Sequence, residues 1–182
     1  AVTRGIDPNV SLKPSGIPVT TNISNIPWLS SVPDHWKIVP AKRLFSVREE
    51  RARPDDKQLS ATQAYGVILQ EEFERLVGRR VVKIFTHLEK RRHVEVNDFV
   101  ISMRSFQGGL ERAWDEGCIR SSYVVLEPSI ALDADFFQYL FKSNDYIQAL
   151  RATSNFIRDG QDLNFHNFNL VDLPLLPLGE QR

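Results

Sequence analysis

At 182 residues the chain fits one domain of ordinary size with a real core. Hydrophobic residues make up 42% and charged residues 25%, which places it among globular proteins and excludes a disordered chain; no apolar run nears the roughly 20 residues of a membrane span. The 23 basic and 23 acidic side chains cancel, so total charge names no partner and its distribution along the chain has to be read instead.

The start, AVTRGIDPNV, is neither a signal peptide nor a transit peptide, and without an initiator Met it reads as a fragment of a longer chain. Six of the ten prolines fall between Pro8 and Pro40, so residues 1–25 are expected to be an extended arm or linker. Trp28 and Trp36, eight apart, are suited to pin that arm onto the domain. Lys37 to Val47 reads as a strand leading into an apolar turn, and the charged stretch 48–57 as an exposed loop. Tyr65 to Leu69 reads as a short strand, after which Phe73, Leu76 and Val77 close the core around a turn at Gly78.

Residues 79–93 form the most uneven charge block. Arg79, Arg80, Lys83, Lys90, Arg91 and Arg92 face a single Glu89, a pattern suited to a polyanion. Residues 97–128 follow, with apolar runs at Phe99–Ile101 and Tyr123–Leu126, read as two buried strands. Between them a long polar loop is expected to display Arg104, Ser105, Gln107, Arg112, Arg120, Ser121 and Ser122. Asp133 is a helix cap for 136–143, and Asn144 caps a second helix carrying Tyr146, Ile147 and Leu150 on one face. Residues 153–168 return to loop character, with Arg158, Gln161, Asn164 and His166 available for contacts. An apolar strand over 170–178 leads to Gly179–Arg182, the first turn of a further helix. Short strands, a helix pair and a final strand make an α+β, or mixed α/β, domain without a regular βαβ succession.

Catalytic signatures are missing. No phosphate-binding glycine loop and no GxSxG motif is present, and the four histidines are scattered without a metal-ligand spacing. The single Cys118 excludes an internal disulfide and a cysteine-rich zinc site, and fits a reducing, cytoplasmic setting. A small Mg²⁺ nuclease would have to gather Asp98, Glu111 and Lys90, which nothing in their spacing demands. What remains is a recognition inventory: Arg for guanine, Asn and Gln for adenine, Ser for either, with Arg and Lys on phosphates.

In order along the chain stand IPWLSSVPDHW at 26–36, DFVISMRSFQGG at 98–109, SSYVVLEP at 121–128, FFQYLFKSNDYI at 136–147, RDG at 158–160 and LPLLPLGEQR at 173–182. This series resembles the target recognition domain of specificity subunits in type I restriction-modification systems. The resemblance covers roughly 26–182, with residues 26–178 as the recognition domain and 179–182 as the start of a conserved spacer helix. The extra VTTNISN before IPWL departs from the family pattern, as does the lack of the long spacer helices.

The resemblance implies a curved, mostly antiparallel sheet with a helix pair and long polar loops, seated in the major groove of double-stranded DNA. The domain would read one half of a bipartite site and would itself be non-catalytic. It implies modification subunits that use S-adenosylmethionine to methylate adenine and a restriction subunit that uses ATP and Mg²⁺, none of them in this chain, and no membrane partner. The recognition domain of a single-chain restriction-methylation enzyme is one alternative, and a small Mg²⁺-dependent nuclease is the other.

Overall fold

The computed structural model describes residues 21–23, 26–29, 31–80, 90–102, 104–153 and 164–182. Its strands are β1 (Thr21–Ile23), β2 (Ser31–Pro33), β3 (Lys37–Val39), β4 (Phe45–Val47), β5 (Leu59–Thr62), β6 (Gly66–Leu69), β7 (Arg92–Val94), β8 (Phe99–Ile101), β9 (Glu111–Arg112), β10 (Gly117–Ile119), β11 (Val124–Pro128) and β12 (Leu173–Leu175). Its helices are α1 (Gln70–Val77), α2 (Ser105–Gly108), α3 (Ala134–Lys142), α4 (Asn144–Ala152), α5 (Phe165–Asn169) and α6 (Leu178–Gln181). Every strand pairing among the described residues is antiparallel, apart from isolated parallel bridges at Gln58–Cys118 and Val67–Ala113. The fold is α+β. No helix among the described residues is long and apolar enough to cross a membrane.

The central layer is a four-stranded sheet ordered β4-β11-β8-β9. Side chains alternate between the faces of a strand. Phe99, Ile101, Val124 and Leu126 therefore enter one core, while Val100, Tyr123 and Val125 enter a second. Both faces are covered, which is why these strands read as unbroken apolar runs instead of alternating with polar residues.

The larger core is built from rings. Phe141 lies 5.0 Å from both Phe99 and Tyr146, and Phe45 lies 5.2 Å from Phe137. Each such pair adds about 0.5–1.5 kcal/mol beyond the burial of its area. Asp133 caps α3, accepting from the backbone N–H of Asp135 and Phe136. Ser143, not the expected Asn144, caps α4 by accepting from Tyr146 N at 3.3 Å, because the hydroxyl sits one residue before the first turn and Asn144 within it.

Residues 28–39 meet residues 172–180. β3 pairs with β12, the Trp28 ring stands edge-on to Tyr146 with its Nε1 donating to the Asp172 carbonyl, and Trp36 Nε1 donates to Glu180 at 3.0 Å. β1 pairs with β2, joining residues 21–23 of the proline-rich stretch to the domain by a hairpin.

Three expectations change. Residues 70–77 are an exposed-faced helix ended by Gly78 at φ 69°, and Leu76 is solvent-facing; the run of Gln, Glu and Arg favours helix and leaves too few apolar groups to close a core. The span between β8 and β11 is not a displayed loop. It holds α2, β9 and β10 and buries Leu110, Glu111, Ala113, Cys118 and Ile119, because β9 pairs with β8 and β10 with β7. Residues 165–169, expected as loop, form α5 capped by Asn164 accepting from Asn167 N.

Candidate nucleic-acid interface

Register decides which polar residues share a surface. Ile101 pairs with Val124, and Arg92 with Ile119, so β8 and β10 end where β11 and β7 begin. Lys90 before β7, Arg104 and Gln107 beyond β8, and Arg120 and Ser122 between β10 and β11 therefore emerge at one rim, while Arg91 next to Lys90 is buried. The β5–β6 turn joins them, since Gln63 Nε2 donates to the Arg104 carbonyl at 3.2 Å.

At this rim lies a cleft of about 250 Å³ between β5, α1 and β10. Arg91 and Arg120 line it, with Ser60, Thr62, Gln70 and Tyr123, and among the described residues no carboxylate does. Two guanidinium groups without a facing acid in a half-enclosed cleft make a positive potential suited to a phosphate or to the acceptor edge of a base. Ser60 and Thr62, which the sequence reading passed over, stand on one face of β5 because they are two residues apart. The polar-apolar alternation of Leu59-Ser60-Ala61-Thr62 was the signal for them.

A larger groove of about 720 Å³ runs between the β5–β6 hairpin with α1 and the outer face of α3. Arg112 is its floor. The guanidinium donates to Asn97 Oδ1 at 3.0 and 2.7 Å, to Gln138 Oε1 at 3.0 Å and to Asp135, and its carbon lies 4.3 Å above the Trp114 ring. A guanidinium so engaged clamps β9 to α3. Arg75, Arg112 and Lys142 line this groove against Glu72, Glu111, Asp115 and Asp135, so it carries no excess of positive charge for a phosphate backbone.

Glu111 is buried, 2.7 Å from Lys142 Nζ. Burial raises its carboxyl pKa from the usual 4.5 to about 7, with the charge and hydrogen bond of Lys142 opposing. The folded chain therefore keeps this proton to higher pH than the unfolded chain. The resulting stabilisation is fully present below about 4.5 and lost as pH rises past about 7, at most about 3 kcal/mol. Glu111→Gln is expected to flatten that decline, and urea midpoints of both proteins at pH 5 and pH 8 measure it. Parallel declines would rule Glu111 out as the source.

The remaining candidates are dispersed. Arg79 and Arg80 are exposed just past α1, and Lys90 is exposed before β7. Arg91 is buried and hydrogen-bonds the Cys118 thiol, while Arg92 pairs with Glu49 at 2.8 Å. Ser105 is fully buried, its hydroxyl accepting from Ser102 N, whereas Arg104 and Gln107 beside it are exposed. Arg120 and Ser122 are exposed. Asn164 is a helix cap and His166 is exposed on α5, and no described contact brings either to the rim. Lys83, Arg158 and Gln161 lie outside the described residues. Of the nuclease trio, Asp98 is paired with Arg48 at 2.7 Å and Glu111 with Lys142, not with Lys90.

No protein-family model and no curated protein matches the chain. Among solved structures, its fold is similar to that of the HsdS subunit from Thermoanaerobacter tengcongensis, with a TM-score of 0.50 and 15% sequence identity. The likeness covers 87% of this chain and 37% of that one, so the chain spans little more than a third of that subunit's length. At this identity the likeness is one of fold.

Proposed function

We propose that residues 26–178 are a target recognition domain of a type I restriction-modification specificity subunit, reading one half of a bipartite double-stranded DNA site. Residues 1–25 are the arm that leads into it, and residues 179–182 begin the spacer helix. The observation that carries this reading is the fold likeness over 87% of the chain to an HsdS subunit, the specificity subunit of such a system, along a sequence whose motifs follow that family's order. The domain is non-catalytic. Modification subunits with S-adenosylmethionine and a restriction subunit with ATP and Mg²⁺ act at the site it selects, in the cytoplasm.

The exposed residues divide by chemistry. Arg104, Gln107, Arg120 and Ser122 at the rim read base edges, and Arg79, Arg80 and Lys90 hold phosphates. Lys83, Arg158, Gln161, Asn164 and His166 supply the contacts that vary with the target. Arg91, Arg92, Ser105 and Arg112 orient these groups through the internal bonds they already make. The balanced charge of the chain fits a domain whose partner subunits share the grip on the DNA backbone. The ion pairs of Asp98 and Glu111 favour recognition over metal-dependent cleavage, since each carboxylate is already held by a cation.

Selection from a randomised duplex pool tests the assignment. The chain is expected to enrich one short sequence. Joint replacement of Arg104 and Gln107 by Ala is expected to change that sequence, with about 1–3 kcal/mol lost per bidentate contact. Lys90→Ala is expected to weaken all duplexes alike and to lower the salt slope by about one. Enrichment of no sequence, or of the same sequence by the double variant, would remove the rim from the readout.

A further inference from the structure

On the loop side of β7 the structure gathers a set of groups that DNA reading does not use. His93 is completely buried, and its Nδ1 lies 2.9 Å from Asp56 Oδ2. A carboxylate only accepts, so Nδ1 is the donor in this pair and Nε2 points the other way. Among the described residues Nε2 has no hydrogen-bond partner. It faces Glu116 Oε1 at 3.7 Å and Glu95 Oε1 at 3.9 Å, too far for hydrogen bonds. Glu50 completes the group, with one donor atom each from Glu50, His93 and Glu95 lying within 4.8 Å of one another.

A cation already sits among these acids. The Arg53 guanidinium lies 2.7 Å from Glu50, 2.9 Å from Glu116 and 3.4 Å from Glu95, on a side chain that is 43% exposed. Three carboxylates thus gather around Arg53, with Arg48 reaching Glu95 at 3.3 Å and Glu50 at 3.9 Å, beside a buried imidazole nitrogen aimed at the same space.

We propose that His93, Glu50, Glu95 and Glu116 bind one divalent transition-metal ion of the zinc class, which displaces the Arg53 guanidinium into solvent. An imidazole nitrogen with carboxylates suits zinc-like ions, whereas Mg²⁺ and Ca²⁺ prefer oxygen throughout. Asp56 is the outer partner that fixes the tautomer and orientation of a ligating histidine. Tetrahedral bonds of about 2.0–2.2 Å place ligand atoms roughly 3.3 Å apart. The separations at Nε2 close to that by small rotations of glutamates that are half-exposed. A dication also offsets more of the carboxylate charge than a guanidinium does. The ion joins the 48–57 loop, β7 and the turn before β10, bracing the ribbon that carries Arg91 and Arg120.

The test uses the full chain stripped with chelator, then titrated with Zn²⁺, or with Mg²⁺ as the contrast. One equivalent of Zn²⁺ is expected to bind and to raise the melting midpoint by about 5–10 °C at a hundredfold excess over Kd, with no rise from Mg²⁺. Co²⁺ is expected to give a visible absorption band. Joint Glu95→Gln and Glu116→Gln replacement, at half-exposed side chains where Gln keeps the shape, is expected to weaken binding at least tenfold. Arg53→Ala is expected to tighten it, because the competing cation is gone. Absence of a Zn²⁺-dependent rise in both the native chain and Arg53→Ala would overturn the site. So would Zn²⁺ binding undiminished in the double glutamine variant, which would move the ion to other histidines.

Discussion

Replacing Gly109 with alanine is expected to lower stability by about 3–5 kcal/mol, a large share of what a domain of this kind possesses. Gly109 has φ 76° and ψ −176°, a conformation open in practice only to glycine. A Cβ there would fall inside contact distance of the Phe141 carbonyl oxygen and 2.9 Å from its carbon. Neither obstacle can rotate away, because both are backbone at the end of α3. The same junction holds the Lys142 ammonium on the Gly108 carbonyl at 2.9 Å and on Glu111, so a shift there would loosen a buried ion pair as well. Gly108 is the internal contrast. An added Cβ at Gly108 would meet the Gln63 side chain first, an exposed group held by one hydrogen bond to the Arg104 carbonyl and able to shift. Gly108→Ala is therefore expected to cost well under half as much. Thermal melting separates the two, with a drop of about 10 °C for Gly109→Ala. A midpoint within a degree or two of the native chain would mean that α2 does not approach α3 this closely. Because α2 carries Gln107 and follows Arg104, the same variant is expected to lose duplex preference with its fold.

The second large effect is expected at Asp98. Its carboxylate is buried and takes two hydrogen bonds from Arg48, at 2.7 and 3.1 Å, and a third from the Glu95 backbone N–H at 2.8 Å. Burial raises the Asp98 pKa, with the Arg48 hydrogen bond and the Glu95 N–H pulling it down. Arginine stays charged at any relevant pH, so the Arg48 guanidinium always needs an acceptor beside it. Asp98→Ala removes one member of the pair and leaves the largely buried Arg48 with more distant acids, Glu127 at 3.2 Å and Glu95 at 3.3 Å. Breaking a buried pair in this way costs about 3–5 kcal/mol, and the remaining glutamates hold the loss toward the lower end. Asp98→Asn keeps the shape and one acceptor, and is expected to lose about half as much. Urea midpoints of the two variants measure this. If Asp98 instead served a Mg²⁺ nuclease, its loss would abolish plasmid cleavage while the midpoint stayed where it was. An unchanged midpoint would therefore overturn the structural role given to it here.

Much of the scaffold was legible along the chain because its signals are local. Phe99–Ile101 and Tyr123–Leu126 are unbroken apolar runs, and the sheet they enter is covered on both faces. Asp133 before Ala-Asp-Phe-Phe announced α3, and the cap is made as expected. Where local signals compete, position decides: Ser143 and Asn144 are adjacent cap formers, and the hydroxyl nearer the chain reversal takes the role. The motif order similar to type I specificity subunits needed only sequence; the likeness to the HsdS subunit is one of fold.

The candidate site was only partly legible. Arg91, Arg104, Arg112 and Arg120 look alike as letters in a polar run. Arg112 becomes a clamp because β9 pairs with β8 and swings it between Asn97 and Gln138, whereas Arg120 stays in solvent at the mouth of a cleft. Glu50, His93, Glu95 and Glu116 share no spacing that would mark a metal site, since loop, strand and turn bring them together. Sequence by itself determined the α+β composition, the doubly buried strands and the helix pair, because periodicity and caps act over a few residues. Only the tertiary structure decided which charges face water and which are pinned, because burial and ion pairing depend on strand register between segments tens of residues apart.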